Sequence, residues 1–176
     1  RRMVPYTSGY FLMFDRDEKI DEKRSFFVEM PAEVRQRYLQ YYYNIDYLNH
    51  VIDFAKEPSV YRDTDILEDQ DRHNTEFYTQ FLCPQNIPFG SGIILYKNRM
   101  LKGIVNLFRS AEMGDFTDKH IYILDFLKLH LSNILDSLTN VVDEQVRQGR
   151  LYSRHELSAR EQEVAALITE GASNQT

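Results

Sequence analysis

The side chains that could do chemistry are scattered along this sequence and form no recognisable catalytic pattern. The five histidines are His50, His73, His120, His130 and His155. None has the spacing of a metallohydrolase motif, and His120 and His130 lie too far apart on one predicted helix to ligate the same ion. No serine stands in a nucleophile elbow, and no glycine-rich phosphate loop follows a predicted strand. We therefore expect a protein that is not an enzyme and that uses no metal or cofactor.

The acidic segment 61–71 and the single cysteine also have simpler explanations than catalysis. The carboxylates of the segment are Asp63, Asp65, Glu68, Asp69 and Asp71. They lack the glycine and final glutamate of an EF-hand loop, so we expect a solvated turn or helix end. Cys83, between a leucine and a proline, is expected to be a small buried apolar residue.

Composition limits the class of protein. The chain has 176 residues, a net charge of -6, 43% hydrophobic and 27% charged residues, which are values of a globular domain. No apolar run approaches the roughly 20 residues that cross a bilayer, and a lone cysteine favours the cytoplasm. With 12 Tyr, 11 Phe and no Trp, the interior should contain buried hydroxyl groups, which is one way to build a small-molecule pocket.

The elements that would position such a pocket form an α+β pattern. Apolar, β-branched stretches predict one hairpin from segments 9–14 and 25–29 and a second from 91–96 and 102–108. Pro31 is expected to open a helix, and Thr117 should cap a long helix over residues 118–147. We therefore expect a central antiparallel sheet flanked by helices.

The long predicted helix carries an apolar stripe at alternating spacings of three and four residues. Its members are Leu124, Leu127, Leu131, Ile134, Leu138 and Val141. Such a stripe is typical of a coiled-coil seam, although a helix packed on its own sheet would show the same pattern over its first half. We expect a mixture of the two, with a homodimer formed through this helix.

The C-terminal residues have the pattern of a helix-turn-helix opening. Ser158 and Glu161 form a capping box, an amphipathic helix follows, and Gly171 is placed to end it. Ser173 would cap the next helix, just before Thr176.

The segment 157–174 resembles the start of the LuxR-type DNA-binding domain, whose pattern reads L-T/S-x-R-E-x-E-V-x-x-L-I/V-A-x-G-x-S-N. The matching positions include Ser158, Arg160, Glu161, Ser173 and Asn174. This resemblance implies a transcription regulator whose recognition helix lies beyond Thr176. Promoter DNA would then be a partner of the full-length protein and not of this piece, which we expect to be cut at both ends.

The preceding residues resemble the GAF-type sensory domains found before such units, through the segments 61–65, 76–82, 101–107 and 116–118. This implies a sensory domain over residues 1–142, a linker over 143–156 and the start of the DNA-binding domain over 157–176. The implied fold is GAF/PAS-like.

A further similarity to the autoinducer-binding relatives of this architecture concerns a Tyr-rich helix followed by an aspartate. Tyr38, Tyr42, Tyr43 and Asp46 match those parts, and Tyr61 stands near the position of a family tryptophan. With the aromatic side of the next predicted helix, the candidate ligand-binding residues are Tyr42, Tyr43, Asp46, Tyr61, Phe77 and Phe81. The alternative for Asp46 is a cap or a surface ion pair.

Three functions remain open from the sequence. The first is the ligand-sensing portion of a LuxR-type regulator, in the cytoplasm and away from the membrane. The second is a ligand-free dimerisation module of the same regulator. The third is an enzyme of small-molecule metabolism with an unrecognised site, which would require a catalytic pair in one cleft.

Overall fold

A five-stranded antiparallel sheet forms the centre of the molecule. The computed structural model describes residues 3–54 and 56–152, with side chains described as far as Leu135 apart from His50 and Asp53. The strands are β1 Ser8–Met13, β2 Phe26–Val28, β3 Ser59–Arg62, β4 Phe89–Lys97 and β5 Met100–Arg109. Their order is β2-β1-β5-β4-β3, so β2 and β3 form the two edges.

Both predicted hairpins are confirmed. Strand β1 pairs with β2 through partners such as Tyr10 and Phe27, and β4 pairs with β5 along nearly its whole length. Asn98 and Arg99 join β4 to β5 with φ angles of 52° and 62°. Two successive positive φ angles match the right-handed twist of a tight hairpin.

Short helices cover one face of the sheet. They are α1 Ala32–Arg37, α2 Tyr43–Ile45, α3 Leu48–Phe54, α4 Asp63–Ile66 and α5 Asp69–His73. Two π-helical turns, Tyr38–Tyr42 and Phe77–Leu82, and two 3-10 turns, Cys83–Gln85 and Ala111–Met113, complete the connections. Helix α1 begins directly after Pro31, as predicted.

The pleat of the strands divides the buried side chains into two clusters. On the side of the short helices lie residues such as Tyr10, Leu12, Ile94 and Tyr96. On the other side lie Met13, Ile93, Leu95, Leu124 and Leu135. Successive strand residues point to opposite faces, so the same strand supplies both clusters.

The long helix α6 is Asp118–Tyr152, and its first part, up to Leu135, covers this second face. It begins directly after Thr117, whose carbonyl oxygen accepts hydrogen bonds from the amides of His120 and Ile121. The sheet and every described side chain belong to a compact unit that ends at Asp136.

The apolar stripe predicted on α6 packs against the sheet of its own chain. Leu124 is 4% exposed, and Leu127 and Leu131 pack against the same cluster. Ile134 is 43% exposed, and the side chains of Leu138 and Val141 lie outside the described residues. The opposite face carries Tyr122, Phe126 and Leu129, which are 73%, 77% and 60% exposed.

The predicted fold class is confirmed: the chain is α+β, with helices on an antiparallel sheet and a long C-terminal helix. Three local predictions are corrected. Strand β3 was not predicted, Asp63 is 3% exposed although its acidic segment was expected to be solvated, and Cys83 is exposed. No helix in the described part of the chain is long and apolar enough to cross a membrane.

Candidate ligand-binding site

A chain of hydrogen bonds runs through the apolar core on the side of the short helices. Asn106 Nδ2 of β5 donates to the hydroxyl of Tyr10 at 3.1 Å, and the hydroxyls of Tyr10 and Tyr38 lie 2.7 Å apart. The Tyr38 hydroxyl donates to Asp46 Oδ2 at 2.9 Å, and the Leu48 amide donates to Asp46 Oδ1 at 2.9 Å. These groups connect the middle of the sheet to the segment before α3.

A second buried carboxylate lies beside this chain. The hydroxyl of Tyr47 donates to Asp63 Oδ2 at 3.0 Å, and the Gly90 amide also hydrogen-bonds the Asp63 carboxylate. Asp46 and Asp63 are 5% and 3% exposed. They are close enough that the charge of Asp63 raises the pKa of Asp46. We call Tyr10, Tyr38, Asp46, Tyr47, Tyr61, Asp63 and Asn106 the polar network.

Burial makes the charged forms of both carboxyl groups unfavourable. Loss of hydration, and secondly the charge of Asp63, raise the pKa of Asp46 to about 7. Loss of hydration likewise raises the pKa of Asp63 to about 6, a rise that the Tyr47 hydroxyl and the Arg72 guanidinium partly offset. A described cation thus acts on Asp63, whereas Asp46 forms no salt bridge within the described residues. Near neutral pH, Asp46 can therefore either hold a proton or accept an external cation.

Two polar atoms of the network have no partner. The Tyr61 hydroxyl and Asn106 Oδ1 are fully enclosed and make no hydrogen bond, on side chains that are 5% and 2% exposed. Burial and, after it, the neighbouring Tyr10 raise the pKa of Tyr61 well above its ordinary value, and the charges of Asp63 and Asp46 add to the rise. The Tyr61 hydroxyl is therefore close to the network. Buried polar groups in folded proteins are nearly always satisfied, and each exception calls for an explanation.

Glycines of β4 make room for these groups. A methyl group on Gly90 would overlap the Asp63 carboxylate, and one on Gly92 would lie 2.8 Å from the Tyr61 hydroxyl. Because these two positions of β4 carry no side chain, the Asp63 carboxylate and the Tyr61 hydroxyl can lie directly against the strand.

Aromatic rings enclose the network on the helical side. The rings of Phe77 and Phe81 stack at 5.3 Å between centroids, with 13° between their planes. Tyr38 contacts both of them, and Tyr47 contacts Phe77 edge-on at 5.4 Å.

The six candidate residues from the sequence thus have different places. Asp46 and Tyr61 belong to the polar network itself. Phe77 and Phe81 line it, and the partly buried Tyr43 touches Tyr38 edge-on at 6.2 Å. Of the two alternatives for Asp46, the surface ion pair is wrong, since the residue is buried. The cap is supported, since Asp46 Oδ1 accepts a hydrogen bond from the Leu48 amide, at the first residue of α3.

Tyr42 packs among the same rings but directs its hydroxyl elsewhere. Its ring lies 4.9 Å from that of Phe81, while its hydroxyl accepts a hydrogen bond from Arg37 Nη2 at 2.9 Å. Tyr42 therefore supports the aromatic wall from behind and takes no part in the polar network.

A groove of about 560 Å³ opens at the β3 edge of the sheet. Its lining is Val51, Phe54, Val60, Tyr61, Arg62, Asp65, Ile66 and Ile121. Arg62 and Asp65 pair with each other at 2.9 Å, so the unpaired part of the lining is mostly apolar. Tyr61 belongs to both the groove and the polar network.

Sequence reasoning missed Tyr10, Tyr47, Asp63 and Asn106 as members of the network. Asp63 is the first residue of α4, directly after β3, and no local pattern distinguishes it from the acidic residues that follow. The contacts of Tyr10 and Asn106 join residues 96 positions apart in sequence, and no local pattern reveals such a pair.

The DNA-binding candidates Ser158, Arg160, Glu161, Ser173 and Asn174 lie outside the described residues. Within the residues that are described, no group of His, Cys, Asp and Glu side chains has an arrangement that could hold a metal ion.

Comparison with known proteins shows a similarity of fold. No protein-family profile matches the chain, and no curated protein matches it in sequence. The chain resembles the crystal structure of the VqsR LBD domain from Pseudomonas aeruginosa, with a TM-score of 0.57, 17% identity and coverage of 76% of each chain. The two share a fold. At this identity the similarity is one of architecture, so the site must be argued from the residues of this chain.

Proposed function

We propose that this chain is the ligand-sensing portion of a LuxR-type transcription regulator. The observation that carries the proposal is the polar network, in which the carboxylate of Asp46 and the unpartnered Tyr61 hydroxyl are enclosed in an aromatic core. The Tyr61 hydroxyl has no hydrogen bond to compensate for its burial, and an unsatisfied buried polar group costs about 1–3 kcal/mol. The architecture shared with the VqsR LBD domain, and the LuxR-like residues 157–174, support the same proposal.

Regulation would follow from a shift between conformations. A ligand that binds one arrangement of the core more tightly stabilises that arrangement and everything packed on it. We propose a sensory domain over residues 1–142, a linker over 143–156 and the start of the DNA-binding domain from 157. In the full-length protein, Ser158, Arg160, Glu161, Ser173 and Asn174 would belong to the unit that binds promoter DNA.

We place the dimer contact on the face of α6 that points away from the sheet. The predicted stripe is occupied over its first half, because Leu124, Leu127 and Leu131 pack on the sheet. Tyr122, Phe126 and Leu129 are spaced to share the opposite face and remain exposed. Exposed apolar side chains clustered on one helix face are typical of an association surface. Ile134, Leu138 and Val141 remain candidates for continuing the contact along the helix.

A catalytic role has one observation in its favour. Carboxyl groups with raised pKa values, such as Asp46 and Asp63, are found in acid–base active sites. Both groups are enclosed in the core, however, and Asp46 and Asp63 are held by tyrosine hydroxyls. This arrangement favours a binding site that closes around its ligand over one that exchanges substrate and product.

A thermal-shift screen of the chain against a metabolite library tests the proposal. We expect compounds that raise the melting temperature of the wild-type chain and lose this effect in Asp46→Asn. The matched control is Asp17→Asn, which removes an exposed carboxylate between β1 and β2, outside the groove and the network. Its response should equal that of the wild type. A library without any compound that depends on Asp46 would contradict ligand sensing and favour the ligand-free dimerisation module.

A further inference from the structure

The polar network has a surplus of hydrogen-bond acceptors. Asp46 and Asp63 each present two carboxylate oxygens, and the unpartnered Oδ1 of Asn106 is an acceptor that can only be satisfied by a donor. Within the described residues the donors that reach Asp46 are one tyrosine hydroxyl and one backbone amide. A ligand that satisfies this site must therefore supply donors.

Among the described residues, the site has one cation, Arg72, for two carboxyl groups. The guanidinium of Arg72 acts on Asp63, but its Nη atoms are taken by Pro88 O at 2.6 Å and Asp69 Oδ1 at 3.0 Å. Asp46 has no salt-bridge partner among the described side chains. A primary ammonium group has three N–H donors, no acceptor and one positive charge, which complements both deficits at once.

The aromatic surroundings suit a cation as well. The faces of tyrosine and phenylalanine rings carry partial negative charge and attract an ammonium group within about 6 Å. Tyr10, Tyr38 and Phe77 lie around the carboxylates with ring centroids 5.0 Å apart for the first two and 6.3 Å for the last two. The same rings would exclude a carboxylate ligand, which they and the two aspartates repel.

We propose, on the basis of the ligand-sensing function above, that the network binds the protonated amine of a small ligand whose apolar body lies in the groove at the β3 edge. Asp46 accepts the ammonium group, Asn106 Oδ1 and the Tyr61 hydroxyl complete its hydrogen bonds, and the Tyr61 ring separates the groove from the network. The groove volume of about 560 Å³ is within the usual range for small-molecule pockets, roughly 300–1,000 Å³. Rotation of the Tyr61 side chain would join the two spaces.

Isothermal titration calorimetry with probes of matched shape tests the ligand class. The probes are phenethylamine and hexylamine, their alcohols phenethyl alcohol and hexanol, and the carboxylates hydrocinnamate and hexanoate. We expect the amines to bind at least about tenfold more tightly than the alcohols, since a hydrogen bond to a charged group exceeds a neutral one by that order. The carboxylates should show no binding.

Two variants locate the amine. Asp46→Asn should weaken amine binding about tenfold, whereas Asp17→Asn, which changes an exposed carboxylate between β1 and β2 outside the groove and the network, should leave it unchanged. Tyr61→Phe is a second test that leaves both aspartates unchanged. Its unliganded form should be more stable than the wild type, yet it should bind the amine less tightly. Equal losses in Asp46→Asn and Asp17→Asn would overturn the assignment.

Failure of this proposal can be told apart from failure of ligand sensing. If alcohols or carboxylates bind in an Asp46-dependent way and amines do not, the amine class is wrong and the sensory function stands. If no probe binds, the amine proposal is overturned, and the metabolite screen alone decides whether the chain senses another ligand.

Discussion

Asp46 shows at the scale of one residue how this core departs from a purely structural one. Its carboxyl group is 5% exposed, held by Tyr38 and the Leu48 amide, and without a salt bridge within the described residues. Removing this carboxyl group alone would leave the Tyr38 hydroxyl and the Leu48 amide buried without an acceptor, which costs about 1–3 kcal/mol for each. Asp46 therefore has a structural role in holding these two donors, and we propose that it also binds a ligand.

The first prediction concerns pH. The pKa of Asp46 is about 7 in the folded chain and about 3.9 when unfolded, so between pH 4 and 7 the folded chain keeps a proton that the unfolded chain loses. Stability from this group is complete below pH 4 and is lost as pH rises through 7, by at most about 1.4 kcal/mol per pH unit. The wild type loses this stability between pH 5 and 7.5, and Asp46→Asn does not. The free energy of unfolding of Asp46→Asn, relative to that of the wild type, should therefore rise by about 2 kcal/mol over this range.

Denaturant unfolding of both proteins at the two pH values measures this difference. Asp65→Asn is the control, because its carboxylate is 57% exposed and should give the wild-type slope. A constant difference between wild type and Asp46→Asn across this range would show that the Asp46 carboxyl titrates normally and is not enclosed.

The second prediction is that removing the hydroxyl groups of Tyr61 and Tyr47 changes the free energy of unfolding in opposite directions. Tyr61→Phe removes a buried hydroxyl that has no partner and should raise the free energy of unfolding by about 1 kcal/mol. Tyr47→Phe removes the donor to Asp63 and should lower it by about 1–2 kcal/mol. Chemical denaturation of the two variants checks both, and a loss of stability in Tyr61→Phe would mean that its hydroxyl is satisfied.

Local sequence patterns predicted part of this site. Asp46 and Tyr61 were chosen through a family resemblance, and both lie in the network. Asp63 was missed because its neighbours Asp65, Asp69 and Asp71 make the segment look solvated, although Asp63 itself, at the start of α4, is buried against Gly90 of β4. Tyr10 and Asn106 meet only after β1 pairs with β5, so only the tertiary structure brings them together.

At the scale of the element, α6 has two apolar faces with different roles. The face of Leu124 and Leu135 is buried against the sheet, and the face of Tyr122 and Phe126 is exposed. A repeat of three and four residues identifies a buried stripe, but it does not tell whether the buried partner is the same chain or another.

A third prediction separates these faces with one chemical change. Leu124→Ala should lower the free energy of unfolding by about 2–4 kcal/mol, because it opens a cavity in the core. Leu129→Ala, at a position 60% exposed, should change it by less than about 0.5 kcal/mol when the chain is monomeric. Urea denaturation at low protein concentration compares them, and equal effects would contradict the described orientation of α6.

Strand prediction succeeded and failed for identifiable reasons. The stretches of β4 and β5 are long, apolar and joined by a polar turn, so they were readable from the sequence. Strand β3 has four residues and is followed at once by an acidic helix. It lies at the edge of the sheet and pairs only with β4. Because it is so short, its sequence pattern cannot be distinguished from that of a turn.

At the scale of the whole molecule, the fold was predicted correctly and the assembly remains to be tested. A fourth prediction is that Phe126→Glu converts a dimer into a monomer, because it places a charge in the centre of the exposed apolar face of α6. The matched control is Phe54→Glu, which makes the same change at a phenylalanine 88% exposed on α3 and should leave the dimer intact. Sedimentation equilibrium of the two variants decides between the outcomes, and a dimer that survives Phe126→Glu would exclude this face.

Native mass spectrometry of the freshly purified chain, followed by the same sample after denaturation, tests the central claim most directly. We expect a dimer that retains a small molecule, released on denaturation with the mass of an amine, and a ligand-free Asp46→Asn variant of the same subunit number. A wild-type chain that carries nothing and is indistinguishable from Asp46→Asn, even after incubation with the amines above, would contradict it.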